Sequence, residues 1–207
     1  MQQPLGVILA GGLSSRMGGG DKGLLDLNGQ SILRHVIDRL EPQVASVAIN
    51  ANGDAGRFSD TNLPVLPDTI SDYPGPLAGV LAGLDWAASQ GVEHIVTAAA
   101  DTPFFPCDLV PQLILAAEDC DPAIALAASR DPDTGKLWRQ PTFGLWPVAL
   151  RDDLRAALNG GLRKVVLWTD THNAATAVFP NFGLDPFFNV NTPVELEQAR
   201  AFAKDAG

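Results

Sequence analysis

The chain has 207 residues, of which 46% are hydrophobic and 18% charged, and its 24 acidic and 14 basic side chains give a formal net charge of −10. That length suits one domain, 1–207, able to bury roughly 70% of its unfolded surface, and the composition excludes disorder. The acidic balance argues against a nucleic-acid binder held by phosphate contacts, which would present a basic face, but leaves room for an enzyme that binds a nucleotide.

Short apolar runs alternate with amphipathic stretches of helical length, the pattern of a mostly parallel sheet covered on both faces. The run from Gly6 to Ala10 reads as a buried first strand ending at Gly11-Gly12. A helix is expected over 31–40, capped by Ser31, with Ile32, Val36, Ile37 and Leu40 on one face. Strands follow at 44–49, ending at Asn50, and at Val65-Leu66, ending at Pro67-Asp68. Pro76 opens a helix reaching about Gln90, and His94–Ala99 is the next strand, with Asp101-Thr102-Pro103 just beyond it. The remainder reads as a helix over 108–118, strands at 123–128 and 142–146, helices at 148–158 and 163–168, a strand at 174–179 and a closing helix from Thr192. The fold class is α/β: a three-layer α/β/α sandwich with a Rossmann-like sheet.

Ligands of open α/β sheets gather at the carboxyl ends of strands. Candidates are therefore 11–22, Asn50, Asp68 and Asp101. The segment from Leu9 to Lys22 is rich in glycine, so backbone N–H groups can approach an anion, while Arg16 and Lys22 supply positive charge. It is not a P-loop, because Asp21 precedes Lys22 and Gly23 follows it. The GxGxxG at Gly18, Gly20 and Gly23 starts too far from the strand and leads into no helix, so it is a decoy. Residues 61–120 hold eight acidic side chains and no Lys or Arg, which raises the question of whether one of them holds a cation. Cys107, Cys120, His35, His94 and His172 match no disulfide framework or zinc-ligand spacing. With no basic leader and no apolar run of membrane length, the expectation is a soluble cytoplasmic protein without membrane association.

Several residues read two ways. Asp101 is either a cation ligand or a turn cap before Pro103. Asp68 either caps Ile70 or holds a ribose hydroxyl or guanine edge, and Asn50 is either a base or ribose contact or a turn residue. Arg16 is a phosphate clamp or an exposed loop side chain. Asn189 and Asn191 line an acceptor pocket or tie down a loop. Arg163 and Lys164 meet an acceptor phosphate or are simply solvated. Trp138, Trp146 and Trp168 are read as core, and Asp85, Glu93 and Glu118 as solvated surface.

The blocks Leu-Ala-Gly-Gly, Arg16-Met17-Gly18 and Asp21-Lys22 resemble the signature of the nucleotidyltransferases, and most closely that of the molybdenum cofactor guanylyltransferases. The resemblance continues in order through Asn50-Ala51-Asn52, the stretch from Tyr73 to Gly79, Asp101-Thr102-Pro103 and the stretch from Phe188 to Pro193. One departure is Gln140-Pro141-Thr142, where many relatives carry His-Pro-Thr. The resemblance implies a sheet of the nucleotide-diphospho-sugar transferase type. It implies GTP contacts from Leu9, Ala10, Gly11, Gly12, Lys22, Asn50, Asp68 and Asp101, with Mg²⁺ on Asp101 and with Arg16, Lys22 and Asp101 carrying catalysis. The activity it implies is transfer of GMP from GTP to the terminal phosphate of molybdenum-bound molybdopterin, with transient contact to cofactor-synthesis or acceptor proteins. The alternatives are a relative that uses CTP or a sugar phosphate, and a non-catalytic nucleotide or molybdopterin carrier; Gly11, where cytidylyltransferases resemble Leu-Ala-Ala-Gly, leans toward guanine.

Overall fold

Strand β1 (Leu5–Leu9) is buried over its first four residues, with Val7 and Ile8 wholly inaccessible, so an apolar run of this length has a layer on each face. The computed structural model describes residues 2–11, 22–70, 75–181 and 185–205. Beyond β1 the elements are β2 (Asp26–Leu27), β3 (Gln30–Ser31), α1 (Ile32–Leu40), β4 (Val47–Asn50), β5 (Val65–Leu66), α2 (Pro76–Ser89) and β6 (His94–Ala99). They continue with α3 (Leu109–Ala116), β7 (Ala125–Arg130), β8 (Leu137–Pro147), α4 (Arg151–Asn159), α5 (Val165–Thr171), β9 (Ala175–Phe179) and α6 (Pro193–Asp205).

Seven strands form one sheet in the order β5-β4-β1-β6-β8-β7-β9, in which only β8 runs antiparallel to its neighbours. Because side chains alternate across a strand, the sheet feeds two cores. Ile8, Ile49, Val96 and Ala127 pack with Leu33, Val36 and Leu40 of α1 and Leu113 of α3. Val7, Ile95, Leu126 and Trp146 pack with Leu77, Val80 and Leu84 of α2, Leu154 of α4 and Trp168 of α5. This is the expected three-layer sandwich. The chain leaves β1 toward β4 on one side and reaches β6 on the other, so the strand order reverses between β1 and β6. The crevice for a ligand opens there, at the carboxyl ends.

Local chemistry explains most element boundaries. Ser31 caps α1, accepting from the Arg34 amide at 3.1 Å. Strand β4 starts at Val47 rather than 44, because Glu41–Gln43 form a 3-10 turn and the Val44 amide bonds back to Glu41. The hairpin β2–β3 was not expected, although its turn, Asn28-Gly29 with φ of 58° and 94°, is a strong local hairpin signal.

Strand β8 is longer than the run 142–146. Leu126 faces Gly144 while the next residue, Ala127, faces Gln140, so 141–143 bulge out of the ladder. Pro141 has no N–H to lose there. The bulge carries Leu137–Gln140 past the carboxyl edge of β6, opposite Ser129 and Arg130 of β7.

Two readings of surface and core need correction. Trp146 and Trp168 are buried and stacked, with centroids 6.2 Å apart, but Trp138 is 51% exposed, with the Lys136 ammonium 3.9 Å from its ring centroid. Its position on the overhang of β8 takes it out of the core and leaves Lys136 packed over the ring. Asp85 is not merely solvated: it receives Arg155 Nη2 at 2.6 Å and lies 3.8 Å from Arg151, joining α2 to α4. Among the described residues, no helix is long and apolar enough to cross a membrane.

Candidate active site

The carboxyl ends of β1, β4 and β6 converge, and most of the described site residues lie on them. The Ala10 amide donates to Asn50 O at 2.9 Å, and the Ala100 amide to Leu9 O at 3.1 Å, so the chain after β1 stays clamped between its neighbours. Leu9, Ala10 and Gly11 thereby present backbone at the reversal point. Gly12 and Arg16 lie outside the described residues, as do Tyr73 and Pro74.

On the β4 side, Asn50 is 4% exposed, and its Nδ2 donates to Leu66 O at 3.0 Å and to Asp68 Oδ1 at 2.9 Å. Asn52 completes a clasp: its Nδ2 donates to Asp68 Oδ2 at 2.7 Å and its Oδ1 accepts from the Asp68 amide at 2.9 Å. Asp68 is therefore no cap for Ile70. Its carboxylate is oriented by two amides and keeps lone pairs for a ligand N–H or O–H. Asn52, in the Asn-Ala-Asn block, is a candidate site residue that the strand-end rule does not single out.

Helix α2 reaches this cluster because it carries glycine where it meets the strands. A Cβ on Gly79 would overlap Asn50 Oδ1 and lie 2.8 Å from Leu9 Cδ2, and one on Gly83 would lie 2.8 Å from Val7 Cγ2. Gly75 precedes the helix at φ +151°, a conformation side chains disfavour.

On the β6 side stands Asp101. Its backbone oxygen accepts from the Val190 amide at 2.8 Å, which binds the segment before α6 to the end of β6. Thr102 is fully buried; its hydroxyl donates to Asn189 Oδ1 and lies 3.3 Å from Asp101 Oδ1. Burial holds the Asp101 carboxyl above its ordinary range, an effect that the Lys22 charge and the Thr102 hydroxyl oppose. Lys22 Nζ donates to Asn191 Oδ1 at 2.7 Å, and Glu195 Oε2 accepts from the Asn191 amide at 2.8 Å. Asn189 and Asn191 thus bring the C-terminal segment to Asp101 and Lys22, although they lie in no strand.

Thr102 and Glu195 had no role in the sequence reading. The signal for Glu195 was the Thr-Pro-Val-Glu spacing of a helix start: Thr192 Oγ1 accepts from the Glu195 amide at 3.2 Å. Glu195→Ala is expected to cost about 1 kcal/mol in urea unfolding, with Glu195→Gln retaining most of the stability because its amide oxygen can still accept from Asn191.

The Arg163 guanidinium donates to Leu162 O at 2.9 Å, and its carbonyl borders Gly75 at the start of α2. Between the β7–β8 overhang and the segment before α6 opens a cleft of about 490 Å³, lined by Ser129, Trp138, Gln140, Asp185, Asn189 and Asn191 among others. It shares both asparagines with the Asp101–Lys22 centre, so a molecule bound there has its near end at the reversal point.

Among the described residues, no group of three or more His, Cys, Asp or Glu could hold a metal alone. Asp101, with oxygen-bearing Asn189 and Thr102 near it, suits a hard divalent cation that would take its other ligands from phosphate oxygens and water.

Residues 6–174 match the family described as MobA-like NTP transferase domain. Relatives named molybdenum cofactor guanylyltransferase include one from Nitrobacter hamburgensis, 46% identical over 206 residues, spanning 98% of this chain and 96% of the relative. Another, from Mesorhizobium japonicum, is 48% identical over 199 residues, spanning 94% and 93% respectively. A solved structure of molybdopterin-guanine dinucleotide biosynthesis protein A from Archaeoglobus fulgidus aligns with a TM-score of 0.71 at 21% identity, over 97% of this chain and 99% of that one. CMP:2-keto-3-deoxy-manno-octonic acid synthetase complexed with CTP aligns with a TM-score of 0.75 at 17% identity, over 100% of both chains. At these identities the two structures speak for the fold alone, and that fold is the nucleotide-diphospho-sugar transferase sandwich.

Proposed function

The chain belongs to the MobA-like NTP transferase domain family, and from that premise we propose that it transfers GMP from GTP to the terminal phosphate of molybdenum-bound molybdopterin. An acceptor phosphate oxygen bonds to the α-phosphorus of GTP, the α–β bridging bond breaks, and pyrophosphate leaves with the guanine dinucleotide form of the cofactor as product. The observation that carries this reading is the near full-length identity of 46–48% to guanylyltransferases, on a chain whose Lys22, Asn50, Asp68 and Asp101 converge on one crevice.

A phosphate nucleophile is already largely ionised near neutral pH, so the residues need not remove a proton. Their task is to bring two anions together and offset their repulsion. Lys22, aimed by Asn191, meets the triphosphate and the departing pyrophosphate, while the backbone of Leu9–Gly11 lies along the nucleotide. We assign Gly12 and Arg16 to the same phosphate contacts. Asp68, clasped by Asn50 and Asn52, takes the guanine edge or a ribose hydroxyl. Asp101 would hold Mg²⁺, which when bound neutralises phosphate charge and polarises the α-phosphate. The donor half of the site comes from the N-terminal part of 1–207 and the acceptor half from the C-terminal part, next to Asn189 and Asn191. We assign the reaction to the cytoplasm, where GTP is at hand, with handover of the product to a cofactor-synthesis or acceptor protein.

Pyrophosphate release, measured with each nucleoside triphosphate with and without molybdenum-bound molybdopterin, tests this reading. Release with GTP plus acceptor supports it; preference for CTP, or binding without turnover, overturns it. Lys22→Ala is expected to lower turnover at least about tenfold, with an unchanged circular dichroism spectrum because the Lys22 side chain is only partly buried and, among the described residues, its side-chain hydrogen bond goes to Asn191. Wild-type turnover in that variant would remove Lys22 from the mechanism.

A further inference from the structure

Resting on the acceptor assignment above, we propose that Asp185, backed by Ser129 and Gln140, reads the 2-amino-4-oxopyrimidine edge of the acceptor's fused heterocycle in the cleft beneath the β7–β8 overhang.

The cleft, about 490 Å³, is within the size range of small-molecule sites and combines aromatic walls with a few convergent polar groups. Trp138, exposed on the overhang, lends the cleft an aromatic ring, one face of which carries the Lys136 ammonium and the other of which suits a planar heterocycle. The polar floor is graded in satisfaction. Asp185 Oδ1 accepts from the Phe187 amide at 2.9 Å, which fixes the carboxylate. Asp185 Oδ2 has the hydroxyl of buried Ser129 at 3.5 Å, beyond the usual range for an O–H···O bond. Ser129 in turn receives Gln140 Nε2 at 3.3 Å. Among the described residues, then, a lining carboxylate keeps an oxygen without a close donor. A ring N–H beside an exocyclic amino group offers two parallel donors to such a carboxylate, as a guanidinium does. An oxo group in place of the amino group would set an acceptor against it.

Guanine carries the same edge, so position decides between the two. The donor's base has the Asn50–Asn52–Asp68 clasp beyond β1, whereas the cleft lies beyond β6, on the opposite side of Asp101 and Lys22. A nucleophile attacking in line must come from the side opposite the leaving group, and a heterocycle in the cleft directs its phosphate tail toward Asn189 and Asn191.

Two measurements test this. Titrated by fluorescence, wild-type protein is expected to bind 6-hydroxymethylpterin about tenfold more tightly than 6-hydroxymethyllumazine, in which the amino group is replaced by oxygen, and Asp185→Asn to lose that preference. In guanylyl transfer, the same variant is expected to raise the acceptor KM about tenfold with the GTP KM within about twofold. Equal preference in both proteins, or no pterin binding by wild type at millimolar concentration, overturns the proposal. Loss of the GTP over XTP preference in Asp185→Asn, with acceptor KM unchanged, also overturns it by assigning the cleft to the donor base. If wild type transfers GMP to no acceptor, the reading of the reaction fails, and the pterin–lumazine titration still judges the cleft by itself.

Discussion

Asp101→Asn is expected to lower guanylyl transfer by about 10²–10³-fold, the scale seen when one charge-stabilising group of an active site is removed, while leaving the metal-free fold as stable as wild type or more so. The two effects share a cause. Asp101 sits at the end of β6 with its carboxyl held above the ordinary value of 3.8, chiefly by burial, with Lys22 and Thr102 offsetting part of the shift. A carboxyl whose native pKa is raised binds its proton more tightly in the folded chain than in the unfolded one. Its contribution to stability is full below the unfolded value and is lost as pH rises through the native value. Above the ordinary carboxylate range the cost of burying this ionisable group therefore opposes folding, and asparagine, which has no charge to bury, removes the opposition.

Melting temperatures in EDTA test this: the advantage of Asp101→Asn is expected near pH 7 and should shrink as the pH falls toward and below 4. With GTP and Mg²⁺ the order should reverse, because ligands that bind only the native state stabilise it in proportion to their affinity. A variant that melts well below wild type in EDTA at pH 7 would mean that Asp101 supports the fold rather than straining it.

How much of this arrangement was legible in the sequence follows from how local each signal is. Strand β6 and helix α2 were legible nearly to the residue, because a continuous apolar run and a proline at a helix start are properties of neighbouring residues. The positions of Lys22, Asn50, Asp68 and Asp101 followed from one rule, that ligands gather at strand ends, together with the family resemblance. What was not legible depends on pairings across the chain. The overhang of β8 exists only because β7 holds it through a bulge, so Trp138, read as core with Trp146 and Trp168, instead stands on the surface of a cleft. Asp85 looks like any exposed acid until α4 brings Arg155 to it. Asn189 and Asn191 could be placed only as a pair with two possible roles. Hydrogen bonds to Thr102 and Lys22, 87 and 169 residues away, bring them to the candidate site.

Gly79→Ala is expected to destabilise the protein by about 2–3 kcal/mol and to raise the GTP KM, although alanine is the better helix former by about 1 kcal/mol. The added methyl would overlap Asn50 Oδ1 and stand 2.8 Å from both Asn50 Cγ and Leu9 Cδ2. Neither neighbour can yield freely. Asn50 is buried and held through Nδ2 to Leu66 O and Asp68 Oδ1, so rotating it away breaks bonds worth about 0.5–1.5 kcal/mol each. Leu9 ends β1, paired to both β4 and β6, and moving it shifts the backbone that runs into Gly11. Overpacking of this kind costs about 1–3 kcal/mol. Urea unfolding measures the first effect and GTP titration the second. The informative control is Gly79→Ala combined with Asn50→Ala. Removing the side chain that blocks the methyl should recover part of the stability lost to Gly79→Ala but none of the nucleotide affinity, because relief of the clash leaves Asp68 without one of the amides that orient it. If the double variant gained no stability over the sum of the single ones, the close approach of α2 to Asn50 would not be what glycine serves at this position.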